Sequence, residues 1–339
     1  MQHGVGLTVK ILAVMCLLAC GAVNVFAQDE GDLMAKRRVF PNAGPGLRAV
    51  KRGGDGRLYV LGSPSPGLLV FDAAGKQVLS ISELPAAATS AKAGRALITF
   101  GEDCDADADG KIYVADRGAN LVQVFSADGA LLRSIPVNAP VAVAALPDGE
   151  VAVSTLREPH LVIVFDKNGR DVREFGDPEP LTEREDLNRY LNIGQLATDA
   201  QGHLYYAFEY LPEPTVRQYD RVGYARQDIQ YTALEAMPTA QAARKEIERQ
   251  ESRGNQPALR RIITAVGVDR ANGEVWIALN NTLLHFDKDG NRRATYKIYT
   301  PEGARLEATT ILIEPEQLII GSDPLGVYEF ERPDKKFVK

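Results

Sequence analysis

Asp107-Ala-Asp-Gly-Lys-Ile-Tyr-Val-Ala-Asp-Arg-Gly-Ala-Asn-Leu-Val-Gln-Val-Phe-Ser-Ala-Asp-Gly-Ala-Leu-Leu-Arg-Ser-Ile135 is the stretch that decides the fold. It reads as three short strands cut by turns. Asp109-Gly110 supplies a tight turn, because glycine accepts the positive φ such turns need. Lys111 to Ala115 is β-branched and aromatic, the composition of a strand. Arg117 to Asn120 breaks it, and Leu121 to Phe125 is a second strand. Asp128-Gly129 turns the chain again, into a third strand over Ala130 to Ile135.

The unit recurs. Asp55-Gly56 leads into Leu58-Tyr59-Val60, then Leu68 to Asp72 and a turn at Gly75. Further on, Asp148-Gly149 pairs with Val162 to Asp166, Gln201-Gly202 with Val216 to Asp220, and Asn272-Gly273 with Leu283 to Asp287. A last, weaker copy keeps Gln317 to Gly321 and Val327 to Phe330, with Pro315-Glu316 in place of the glycine turn. Six copies, at a period of about forty residues with four short strands each, predict a β-propeller. The fold class is therefore all-β: six four-stranded antiparallel blades over residues 47–339. The run Ile112-Tyr113-Val114-Ala115-Asp116, then Asn120 and Val122-Gln123-Val124-Phe125, resembles an NHL repeat. Leu121 departs from the pattern, which often has Arg there. The resemblance implies the fold and leaves the chemistry open.

Residues 1–27 read as a secretory leader. Lys10 gives a positive flank, Ile11 to Ala22 an apolar run short for a bilayer span, and Val25-Phe26-Ala27 a small-residue cleavage site. Leu17-Leu18-Ala19-Cys20 also resembles a lipobox, in which Cys20 would carry a lipid anchor. Both readings, soluble export and lipoprotein, place the propeller outside the cytoplasm, and no other segment is apolar enough to span a membrane. The chain carries 39 basic and 45 acidic residues, a net charge of −6. Acidic balance with dispersed Lys and Arg argues against a nucleic-acid partner. Cys104 is the one cysteine outside the leader, at a position where the repeat calls for an apolar strand residue; a buried thiol is expected.

Residues 28–46 form a lead-in. Gln28 to Ala35 reads as flexible, while Lys36 to Phe40 is a strand candidate that would close the last blade beside Lys336-Phe337-Val338. The Asp-Gly turns are short and share one face, so the long connections should gather on the other. Two are helical insertions, about 181–192 and 238–253. The first opens at Thr182-Glu183-Arg184-Glu185, a capping-box sequence, and the second has Pro238 near its start and Gly254 past its end.

Candidates for chemistry are few. Asp105-Ala-Asp-Ala-Asp-Gly110 has the spacing of a calcium loop, but the repeat itself accounts for Asp107, Asp109 and Gly110. A plain hairpin is the reading, with calcium or another divalent ion as the alternative and no cofactor otherwise expected. Asp103, Asp105 and Lys51 fall on innermost strands and suggest a salt-bridged channel. Peptide-amidating lyases, which share the propeller, hold a metal with several histidines; His160, His203 and His285 do not form such a set. Lactonases of the senescence-marker type use Glu, Asn and Asp on a divalent ion, which Glu102, Asn280, Asn281 and Asp323 could imitate. Streptogramin lyases use His and Glu, with His160 and Glu209 as rough counterparts.

Loops on a rigid scaffold carry specificity. The binding candidates on the long-connection face are thus Asp116, Arg117, Asn120, Arg157, His160, Glu209, Tyr210 and Asn281. Asp116 and Asn120 have a competing role in turn chemistry. The expected function is an exported, monomeric binding module for a protein, peptide or glycan, with no catalytic residue assigned. The alternative is a metal-assisted lyase or lactonase-like hydrolase at the channel mouth.

Overall fold

A computed structural model describes residues 29–63, 67–81, 98–231, 237–253 and 259–333. Six sheets radiate around a central channel. From the channel outward, blade one is built from Leu47–Arg52, Leu58–Gly62, Gly67–Phe71 and Gln77–Ile81. Blade two follows with Gly101–Ala106, Ile112–Asp116, Leu121–Phe125 and Leu131–Pro136. Blade three has Pro140–Ala145, Val151–Thr155, Val162–Phe165 and Asp171–Phe175, and blade four Gly194–Thr198, Leu204–Phe208, Thr215–Tyr219 and Ala225–Gln230. Blade five comprises Ala265–Val268, Val275–Leu279, Thr282–Phe286 and Arg292–Tyr299, and blade six Thr310–Ile313, Gln317–Ser322 and Gly326–Glu331.

The near-continuous apolar runs follow from this stacking. Each blade is sandwiched between two others, so all five residues of Ile112–Asp116 are buried. Apolar clusters fill every gap between neighbours. Tyr59 and Leu61 pack with Cys104 and Val114 between blades one and two, and Trp276 packs with Leu318 and Phe330 between five and six. The ring is closed by Leu47, Val50 and Val60 against Ile319 and Val327. Cys104 is a buried core thiol, as its place in the repeat implies.

Closure uses the lead-in. Arg37–Val39 pairs antiparallel with Gly326–Glu331 and fills the outer place of blade six, while Lys336 to Val338 lie outside the described residues. Asp29–Met34, read from sequence as flexible, instead runs parallel to Arg292–Tyr299 as a fifth strand of blade five. Its polar composition hides this because the strand is held mainly through its backbone edge, with Leu33, alone among its described side chains, packed against the core between blades five and six. In blades one to five the outer strand is bulged at the same place, between Val70/Phe71, Leu131/Arg133, Val164/Phe165, Gln218/Tyr219 and His285/Phe286. A bulge at the rim twists the edge away from pairing with other chains.

Two α-helices interrupt the repeat: α1 (Glu185–Leu191) and α2 (Met237–Arg253). The capping box at Thr182 does not form. The helix begins at Glu185, so Arg184 is the N-cap residue, without a side-chain cap bond; Thr182, two residues earlier, accepts the Arg184 amide at 3.3 Å and donates its hydroxyl to Glu251 Oε1 of α2 at 2.6 Å.

Candidate functional site

The short Asp-Gly turns join first to second and third to fourth strands, so the remaining connections, with α1 and α2, emerge on the opposite face. The two helices are tied together there. Arg184 Nη1 donates to the Gln250 carbonyl at 2.7 Å. Leu187, Leu191, Ile247 and Tyr210 form one apolar cluster beneath them, and the Tyr210 ring packs tilted against Tyr190 at 4.9 Å between centroids.

At the centre of this face the channel opens as a cavity of about 260 Å³, lined by Arg48, Glu102, Gln195, Glu209, Arg261 and Asp323, with Lys51 and Asp103 beside them. Arg48 and Glu102 are the second residues of the innermost strands of blades one and two, each at a bulge. Gln195 holds the same place in blade four. Glu102 accepts from Arg117 Nη1 at 2.7 Å and lies 3.8 Å from Arg48 Nη1. Glu209 pairs with Arg261 Nε at 2.9 Å and accepts from Gln195 Nε2 at 3.0 Å. Burial pushes the Glu209 carboxyl above its usual range, against the opposing pull of Arg261.

The charges are layered. The side chains of Glu102 and Glu209 are 10 % and 3 % exposed, whereas those of Arg48, Arg117 and Arg261 are 31 %, 49 % and 40 % exposed. Each carboxylate thus fixes at least one guanidinium that keeps part of its surface exposed. Asp323 is the exposed acidic group on the rim, and its Oδ1 accepts from Gly46 N at 2.8 Å.

Farther down the channel, the polar lining expected from Lys51, Asp103 and Asp105 is present. Lys51 Nζ donates to the Leu196 carbonyl at 3.1 Å and sits 3.8 Å from Asp103. Asp103 and Asp105 accept the Val143 and Ala145 amides at 3.1 and 2.9 Å, stitching blade two to blade three. Burial raises the Asp103 carboxyl to about 6, with Lys51 opposing.

Of the residues singled out from sequence, Arg117, Glu209 and Tyr210 belong to this mouth or its wall. Asp116 does not face it. The carboxylate is wholly buried and accepts from Thr99 N, Phe100 N, Ala119 N and Gln123 Nε2 at 2.8, 2.9, 3.2 and 2.5 Å. Asn120 adopts φ 54° and accepts the Ala139 amide at 2.9 Å. Both are turn-holding residues, because short polar side chains bond nearby backbone. Arg157 is exposed and His160 lies 3.8 Å from Asp177; no contact joins either to the mouth among the described residues. Asn281 is half-buried and its carbonyl accepts from Ile298 N at 3.1 Å. Arg48, Gln195 and Arg261 were not singled out. Aligning the innermost strands of the repeats would have placed Arg48 and Gln195 beside Glu102; Arg261 follows α2 outside any repeat.

The calcium-like string does not converge. Asp105 bonds the Ala106 and Ala145 amides, and Asp107 bonds Asp109 N and Lys111 N. Among the described residues, no three His, Cys, Asp or Glu side chains are grouped to hold a metal ion. His285, 3 % exposed, stacks on Trp276 at 4.0 Å as a packed residue.

No family model and no curated protein matches the chain, so the NHL resemblance remains one of the repeat pattern. Solved structures do match. A streptogramin B lyase is similar with a TM-score of 0.52 at 10 % identity, over 86 % of this chain and 95 % of that one. A gluconolactonase from Xanthomonas campestris gives 0.55 at 14 % identity, over 86 % and 88 %. A hydrazine synthase chain from Kuenenia stuttgartiensis gives 0.52 at 11 %, over 87 % and 97 %. At such identities the likeness is one of fold: the chain is a six-bladed β-propeller of four-stranded antiparallel blades.

Proposed function

We propose that this chain is an exported NHL-type propeller that binds a protein, peptide or glycan at the channel mouth of its long-connection face. The observation that carries this reading is the pair of carboxylates at one opening, Glu209 buried and Glu102 nearly so, each holding a guanidinium that is partly or largely exposed. Such an arrangement presents fixed donors to a ligand and lowers the entropy lost on binding. Export rests on residues 1–27; mass spectrometry of the mature protein would find Gln28 at the N-terminus, or a lipidated Cys20 if the anchor reading holds. The binding face is tested by probing a glycan and peptide array with the wild type and with Arg117→Ala and Arg261→Ala. Each anchor residue should cost about 1–3 kcal/mol of affinity. If these variants bind normally while Arg270→Gln, at the opposite channel end, abolishes binding, the assignment has the wrong face.

Glu209 favours a second reading. A buried carboxyl with raised pKa beside Arg261 is the environment that suits a general acid or base, and two of the similar folds are a lyase and a lactonase by name. Among the described residues no three His, Cys, Asp or Glu side chains are grouped for a metal ion, so a metal-assisted form would draw on Asn280 or Asn281 beside Glu102 and Asp323. One equivalent of a divalent ion on the purified protein would move the assignment to this second reading.

A further inference from the structure

We infer that the channel mouth is selective for an acidic sugar unit, one bearing a carboxylate or sulfate group, presented at the end of a glycan. The inference rests on the binding function proposed above and names the chemistry of its ligand.

Three observations lead there. The first is the charge layering. Arg48 and Arg261 line the opening and Arg117 shares Glu102 behind it. Arg117, whose side chain is 49 % exposed, has one hydrogen-bonded acceptor, Glu102, among the described residues. A guanidinium held on one side by a carboxylate and partly exposed on the other, as in Arg117 and Arg261, has donors left for a ligand. Those donors match the paired oxygens of a carboxylate or a sulfate.

The second is what the mouth withholds. A peptide laid across a sheet is recognised through unpaired backbone groups. Here the channel-facing groups are already taken. At the lining Ala142 N donates to Ser154 Oγ and Thr309 N to the Gly321 carbonyl, and below it Val50 N donates to Thr310 Oγ1 and Val143 N to Asp103. Recognition therefore falls to side chains, which suits a compact charged unit better than an extended peptide.

The third is size and the remaining acceptors. An opening of about 260 Å³ lies just below the range of sites that enclose a whole ligand, and so takes one terminal unit. Asp323 on the rim and the Gln195 Oε1, whose amide nitrogen is already donated to Glu209 and the Thr264 carbonyl, are acceptors. Sugar hydroxyls are the donors they would meet, while the guanidiniums hold the acidic group.

The full-length protein is titrated calorimetrically with methyl glucuronide, methyl glucoside, methyl glucoside 6-sulfate, N-acetylglutamate amide and sodium sulfate. Methyl glucuronide or the sulfated sugar should bind at least about tenfold more tightly than methyl glucoside. Arg261→Gln should lose about tenfold of that affinity and Arg261→Lys less, since charge is kept and the planar fork is not. Arg117→Gln, at a more exposed guanidinium, repeats the measurement should Arg261→Gln fold poorly. Equal binding of glucuronide and glucoside, equal or tighter binding of N-acetylglutamate amide or of sulfate alone, binding unaffected by either variant, or binding of none of the five probes would each overturn the inference. Array binding of neutral ligands that still depends on Arg117 or Arg261 would leave the binding face standing while removing its acidic-sugar selectivity. Loss on Arg270→Gln alone would remove both.

Discussion

Asp116→Ala isolates the difference between a residue that holds the site and one that touches a ligand. The wild-type carboxylate is fully buried and receives three backbone amides and the Gln123 side-chain amide. The Thr99 and Phe100 bonds, at 2.8 and 2.9 Å, are the well-formed backbone pair. A hydrogen bond to a charged acceptor contributes about 1.5–3 kcal/mol net, and a stranded buried donor costs a comparable amount. Thr99 is exposed and Phe100 half-buried, so part of the loss is recovered by water; the Ala119 bond, at 3.2 Å, is the weakest. The expected destabilisation is about 3–5 kcal/mol, a large share of the roughly 5–15 kcal/mol that holds a domain together. Asp116→Asn should do little better, because its amide NH₂ meets other N–H donors. Urea unfolding followed by far-ultraviolet dichroism measures the shift, with the slope compared to confirm that the unfolding unit is unchanged. A loss below about 1 kcal/mol in Asp116→Ala would refute the structural role.

Two further perturbations probe the ring. Asp103 is raised to about 6 in the folded protein, so the fold favours its protonated form. That stabilisation is present below the unfolded carboxyl value and is lost as pH rises through 6, about 3 kcal/mol over two units. Urea midpoints taken across this window should fall with pH for wild type and fall less for Asp103→Asn; parallel profiles would contradict the assignment. Deleting residues 29–39 removes the outer strand of blade six and the fifth strand of blade five. Calorimetry should show a lowered or broadened transition that an added 29–39 peptide partly restores, and an unchanged melt would show that closure lies elsewhere.

The fold was legible because its information is local and repeated. Asp-Gly turns, β-branched runs such as Ile112–Asp116 and a period of about forty residues each point to blades, and six sheets are present. The site was less legible because it is assembled by ring closure. Glu102 and Arg48 meet across blades one and two, Glu209 and Arg261 across the long connection carrying α2. No spacing within a single repeat encodes those pairings. Asp116 and Asn120 misled for the opposite reason: their local turn chemistry was visible, but not that it would engage both side chains, Asp116 buried on the Thr99 and Phe100 amides and Asn120 on the Ala139 amide. Thr182 misled because the helix begins at Glu185, two residues too late for Thr182 to be its N-cap, and its oxygen accepts the Arg184 amide instead.

The closing strands also fix an order of events. Asp29 pairs with Ala294 and Arg37 with Glu329, so the segments synthesised before any blade wait for the last two blades before they find partners. During that interval they are unpaired edges in a chain rich in other strands. Their sequence suits the wait: Asp29, Glu30 and Asp32 in one and Arg37 and Arg38 in the other put like charges on each segment and discourage premature pairing. The polarity that made the first of these segments read as flexible is what lets both arrive late and intact at the seam.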